Sequence, residues 1–67
     1  MPLPSGRPDN VIAAIRGGFE NGHTVWPKAA ADPEAHYQKM GVMRNYLAET
    51  QDGFVLTDIG RRETQMS

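Results

Sequence analysis

Apolar residues near the start of the chain recur at helical spacing. Four of them fall on one helical face: Val11, Ile12, Ile15 and Phe19. Glycines follow this stripe, and Gly22 is suited to the left-handed conformation that ends many helices. The pattern predicts a first helix over residues 9–20.

Two more helices are predicted before residue 48. Thr24 can cap a short helix over residues 24–31, with Pro27 tolerated in its first turn. A second start follows, where Asp32 is an N-cap candidate and Pro33 suits the first helical position. The spacing then predicts a third helix over residues 33–48, whose buried stripe would be His36, Met40, Met43 and Leu47.

The last third of the chain predicts a hairpin and a short helix. Asp52-Gly53 is typical of a type I′ turn, and it leads into a strand over residues 54–57. Thr57 can then cap a final helix that begins near Ile59. Each main element would supply one core residue: Ile15, Trp26, Met43 and Leu56.

The run Gly53–Arg62 resembles the wing-to-last-helix junction of winged helix-turn-helix regulators of small phage or mobile-element type. In those proteins a strand ends in Leu-Thr, here Leu56-Thr57, and Gly-Arg follows three residues later, here Gly60-Arg61. The physical roles are a core plug at Leu56, a helix cap at Thr57 and a close backbone approach at Gly60. The expected fold is mainly α: a winged-helix-like three-helix core over residues 9–67, with a short β-hairpin and a short C-terminal helix.

Residues 1–8 contain three of the five prolines and predict a flexible arm before this single domain. The resemblance implies that the third helix is a recognition helix in a DNA groove. Its face opposite the methionine stripe comprises Tyr37, Gln38, Gly41, Arg44 and Asn45. Amide and guanidinium groups can pair with base edges, although any solvated helix face carries such residues.

Other basic residues could reach phosphates around this helix. Arg61 and Arg62 could do so from the flank, or could pair with Asp58 or Glu63 instead. Weaker contributions are expected from Lys28, Lys39 and Arg44, and from Arg7 on the arm.

Composition narrows the chemistry. The chain has 67 residues, enough for one small domain, and no cysteine, so disulfides and thiolate metal sites are excluded. His23 and His36 lack the partners of a metal or acid–base site, so we expect no enzyme, no metal and no cofactor. The first residues form no signal sequence and no apolar run could span a bilayer, which predicts a cytoplasmic protein. Lacking covalent staples, the domain could form a homodimer.

Charge leaves two functions open. The formal net charge is −1, whereas proteins that bind DNA mainly through phosphates usually carry a basic excess. The family resemblance favours a DNA-binding transcriptional regulator. The neutral charge favours a protein-binding inhibitor or adaptor on the same scaffold, of the kind by which a phage antagonises a host protein.

Overall fold

Residues 10–64 fold into three helices and one antiparallel hairpin. The computed structural model describes residues 10–64, so the predicted arm over residues 1–8 lies outside the described residues. The elements in chain order are α1 (Asn10–Phe19), a 3-10 turn (Glu20–Gly22), α2 (Glu34–Met43), β1 (Leu47–Thr50), β2 (Gly53–Leu56) and α3 (Asp58–Thr64). The described chain is mainly helical with a short hairpin, as the sequence predicts.

The core lies between α1, the hairpin and the segment that precedes α2. Its buried apolar members are Val11, Ile15, Phe19, Trp26, Leu47 and Phe54. The predicted first helix is confirmed, and three of its four stripe residues, Val11, Ile15 and Phe19, are buried, whereas Ile12 is only half-buried. The predicted core positions Ile15 and Trp26 are also confirmed. The Trp26 ring packs edge-to-face on Phe19, with ring centroids 6.1 Å apart. Gly18 makes room for it, because a Cβ there would collide with the indole ring.

The predicted helix over residues 24–31 is wrong, because this segment is extended. The Trp26 amide donates to the Phe54 carbonyl and the Phe54 amide donates to the Trp26 carbonyl, both at 2.8 Å. Further along, the Gln38 side chain accepts from the Ala29 amide at 2.9 Å and donates to the Pro27 carbonyl at 2.8 Å. These partners satisfy backbone groups that a helix would have used internally.

Helix α2 ends earlier than predicted. Asn45 has a φ of 64°, in the left-handed region. The Tyr46 amide donates to the Gly41 carbonyl at 2.8 Å, and the Asn45 amide donates to the Val42 carbonyl at 3.0 Å. This is the hydrogen-bond pattern of a Schellman motif, which terminates a helix and redirects the chain. Residues 44–48 are therefore not helical.

The start of α2 also differs from the prediction. The helix begins at Glu34, and Pro33 occupies the N-cap position without a side-chain cap hydrogen bond. The Asp32–Pro33 peptide bond is cis. Asp32 is therefore not the N-cap.

Helix α2 turns a different face to the core from the one predicted. Gln38 and Gly41 are buried, whereas His36 is exposed and Met43 is 66% exposed. Gly41 accounts for this orientation, because its missing Cβ leaves room for the side chains of Leu47 and Ile15. The expected burial of His36 and Met43 is thus wrong.

The hairpin lies where it was predicted, but its turn differs. Thr50 pairs with Gly53, so the two loop residues are Gln51 and Asp52 rather than Asp52 and Gly53. The Asp52 amide donates to the Thr50 hydroxyl at 3.2 Å. Within residues 10–64, positive φ at non-glycine positions occurs only at Asn21 and Asn45, which excludes a type I′ turn here.

Helix α3 is capped and docked as its sequence predicts. The Gly60 amide donates to the Thr57 hydroxyl at 2.9 Å, and a Cβ on Gly60 would collide with the Tyr46 carbonyl oxygen. At the other end, the Arg16 Nε donates to the carbonyl of the buried Thr64 at 2.9 Å. Leu56, predicted as a core plug, is only half-buried and packs at the edge of the core.

Candidate functional site

The exposed side of α2 presents one stripe of side chains. His36, Lys39 and Met43 are spaced three and four residues apart, which places them on one helical face. All three are exposed, while Gln38 and Gly41 on the other side are buried. We call this set the α2 stripe; it adjoins the turn at Arg44 and Asn45, which are also exposed.

Positive charge is concentrated around the α2 stripe. The chain from Ala35 to Ala48 contains Lys39 and Arg44 but no aspartate or glutamate. Acidic residues flank this stretch on both sides, and a hydrogen bond from a neutral indole leaves the charge of Glu34 in place. Glu34 accepts from the Trp26 indole nitrogen at 2.7 Å, and Glu49 forms a 2.9 Å ion pair with Lys28. This region is therefore locally basic in a chain whose net charge is −1.

The residues of the predicted recognition face do not share one exposed surface. Tyr37 is half-buried against the core, and Gln38 and Gly41 are buried, so these three do not lie on an exposed face. Gln38 instead anchors the extended segment through its two hydrogen bonds to the backbone. Arg44 and Asn45 remain exposed, at the end of α2.

Arg61 and Arg62 lie on α3 and are exposed. Helix α3 packs mainly against α1 and β2, whereas α2 packs mainly against α1 and β1. The arginine pair and the α2 stripe therefore belong to different helices that contact different strands. Their contact with phosphates from the flank stays a prediction.

Sequence reasoning assigned His36 and Met43 to the core because they align with Met40 and Leu47 on a long helix. A signal against that assignment was present. A strand over residues 53–56 needs a partner of equal length before the turn, and this places residues 47–50 in a strand rather than in the helix. Because Leu47 is not in the helix, the predicted buried stripe ends before it. The reason for placing His36 and Met43 in the core is then lost.

Comparison with known proteins gave no relatives. No family model, curated protein or solved structure matches the chain.

Among residues 10–64, no three His, Cys, Asp or Glu side chains are grouped closely enough to hold a metal ion. No helix in the same range combines the length and apolar character needed to cross a bilayer.

Proposed function

We propose that the protein is a DNA-binding regulator of winged-helix type, which contacts duplex DNA through the α2 stripe and Arg44. The observation that carries this proposal is the local charge. Lys39 and Arg44 are exposed, and the sequence from Ala35 to Ala48 contains no acidic residue. Phosphates attract such a surface even when the whole chain is slightly acidic, because charges beyond about 10 Å are largely screened at physiological salt.

Within residues 10–64, two α-helices rather than three precede the hairpin, so the support for a winged-helix arrangement is the junction between α2 and the hairpin. Helix α2 leads through a tight turn into the β1–β2 hairpin, which would be the wing. Strand β2 pairs with β1 on one side and is bridged by Trp26 on the other, which gives β2 the central position. A helix that leads directly into such a hairpin can lie in a major groove.

The charges on the contact surface also predict the strength and the salt dependence of DNA binding. Two cations on the contact surface predict weak, salt-sensitive binding, with log Kobs falling against log salt with a slope of roughly −2 at about −0.9 per phosphate contact. Base reading would depend on His36, Asn45 and Arg44, because Gln38 is engaged in the fold. A two-fold dimer would double these contacts and bind two half-sites.

The test is a salt titration of the binding of a fluorescent duplex pool, with two matched lysine variants. Lys39→Gln should weaken binding to all sequences alike and lower the salt slope by about one. Lys28→Gln makes the same chemical change at an exposed lysine that already pairs with Glu49, and should leave the slope unchanged. Absence of binding at low salt, or equal effects of the two substitutions, would refute the proposal.

A second candidate function is the binding of a host protein. It is favoured by an apolar groove between α1 and α2, with a volume of about 450 Å³, lined by Ala14, Gly17, Gly18, Trp26, Pro33, Glu34 and Tyr37. Met43, 66% exposed on the α2 stripe, adds apolar surface of the kind that adaptable interfaces use. A protein partner would bind with little salt dependence, and Gly17→Leu, which fills the groove, would abolish its binding without affecting DNA binding.

A further inference from the structure

A second cleft lies at the end of α1, where the chain leaves that helix. It is lined by Phe19, the 3-10 turn (Glu20–Gly22), the two residues that follow it, the end of β2 and Arg61 on α3. Its volume is about 330 Å³, at the lower end of the ~300–1,000 Å³ range of small-molecule sites. We call it the α1–α3 cleft.

The α1–α3 cleft has an apolar floor. Phe19 is buried, and Val55 and Leu56 on β2 are half-buried, so each presents only part of its side chain to the cleft. A hydrocarbon group seated here would cover these remaining apolar surfaces. Burial of that kind stabilises a complex by roughly 25 cal/mol for each Å² removed from water.

Polar side chains around this floor lack partners among residues 10–64. The Arg61 guanidinium, the His23 imidazole and the Thr24 hydroxyl line the cleft and form no hydrogen bond or ion pair with any described residue. Elsewhere polar side chains are used by the fold: Arg16 binds the Thr64 carbonyl and Lys28 pairs with Glu49. A few convergent, unused polar groups above an apolar floor are the usual composition of a ligand site.

The backbone at the rim turns sharply. Asn21 and Gly22 both have positive φ, 63° and 79°, the left-handed conformation with which many helices end. The turn brings His23 and Thr24 to the same cleft as Arg61, from which they are separated by more than half of the chain.

We propose that the α1–α3 cleft binds a small monocarboxylate with an apolar body. Arg61 can hold a carboxylate through two parallel N–H···O bonds, because the guanidinium fork matches its geometry. The Thr24 hydroxyl and a His23 ring N–H can donate to the same group. Glu20 at the rim disfavours ligands of higher negative charge, such as phosphate esters. The apolar body would lie on Phe19, Val55 and Leu56.

Binding at this place would connect three elements. The ligand would touch the turn after α1, strand β2 and helix α3 at once, so it would stabilise the docking of the hairpin. A ligand of this size typically binds with a Kd on the order of 1 mM. The proposal concerns this cleft alone and does not depend on what the α2 stripe binds.

The test is a titration of the amide resonances of the labelled full chain with cyclohexanecarboxylate and, in parallel, with cyclohexanecarboxamide. The carboxylate should shift the resonances of His23, Thr24 and Val55 with saturation, and the uncharged amide should bind at least about tenfold more weakly, since it lacks the charge-assisted bonds. Hexanoate and hexanamide provide a second pair with a flexible body.

Arg61→Gln should weaken carboxylate binding by about tenfold or more while leaving the weak binding of the amide unchanged. Arg62→Gln is the matched control on the neighbouring residue of α3, which does not line the cleft, and should bind like the parent. Amide spectra of both variants without ligand report whether they fold. Equal binding of acid and amide, unchanged binding by folded Arg61→Gln, or no saturable shift with either carboxylate would overturn the proposal.

Discussion

Gly60 is the residue whose side-chain size most directly limits the fold. A Cβ at this position would collide with the Tyr46 carbonyl oxygen, which is backbone and cannot move without moving the turn before β1. We therefore expect Gly60→Ala to lower the free energy of unfolding by about 1–3 kcal/mol through overpacking. Urea denaturation followed by circular dichroism would measure it.

Gly17→Ala is the matched control for that measurement. A Cβ on Gly17 meets nothing within 4 Å, and the residue lies in α1 with an exposed surface. Alanine there should stabilise the helix by up to about 1 kcal/mol relative to glycine. If the two variants unfold at the same urea concentration, α3 does not dock against the turn as described.

Gln38 is a structural residue rather than a base-reading one. It is 2% exposed, and its side-chain amide binds the Pro27 carbonyl and the Ala29 amide. Gln38→Ala should cost about 1–3 kcal/mol for each buried group that loses its partner. Hydrogen exchange supplies the specific readout: the Ala29 amide should lose its protection before the Phe54 amide does. Unchanged protection at Ala29 would contradict this role.

At the scale of elements, the sequence predicts well what is determined locally. Helix α1, the Thr57 cap and the close approach at Gly60 depend on residues within one or two turns of each other or on the size of one residue, and all three are confirmed. The left-handed Gly22 after α1 belongs to the same group. Each of these features depends on the properties of one residue and of its near neighbours.

The extended segment over residues 24–31 could not be predicted in this way, because its partners are distant in sequence. Trp26 exchanges hydrogen bonds with Phe54, and Pro27 and Ala29 are held by Gln38. The run of alanines at residues 29–31 favours a helix locally, and tertiary contacts override that preference. The predicted recognition face of α2 is wrong for a related reason. Which side of α2 is exposed depends on the packing of Leu47, and Leu47 lies in a strand.

The core contribution of the hairpin gives a prediction at this scale. Leu47 on β1 is 3% exposed and packs against Gly41 and Ile15, whereas Leu56 on β2 is half-buried. Leu47→Ala should therefore cost about 2–5 kcal/mol, a large part of the ~3–10 kcal/mol expected for a domain of this length. Leu56→Ala should cost clearly less. Urea denaturation of both variants would check the order, and the reverse order would mean that β2, not β1, anchors the hairpin.

At the scale of the whole molecule, charge is distributed unevenly. Lys39 and Arg44 are the formally charged residues of the stretch from Ala35 to Ala48, the hairpin beyond it carries Glu49 and Asp52, and α3 carries two acidic and two basic residues, Asp58, Glu63, Arg61 and Arg62. The net charge of −1 is therefore an average over regions of the chain that differ in charge. This distribution explains how a slightly acidic chain can have a surface that attracts phosphates.

Self-association stays a prediction at this scale. A domain of this length with no cysteine has little core to stabilise it, and a two-fold dimer would add buried area. Sedimentation at micromolar concentration should show a species about twice the monomer mass. A strict monomer would remove the dimer but would leave the account of the fold unchanged.

The most direct test of the proposed function is to map where duplex DNA touches the protein. Amide resonances of the labelled chain would be followed while a pool of short duplexes is added at low salt. The account predicts that the largest shifts occur at His36, Lys39, Met43 and Arg44, and that they disappear in Lys39→Gln as salt is raised. Shifts confined to α3, or none at all under conditions where the protein is folded, would contradict it.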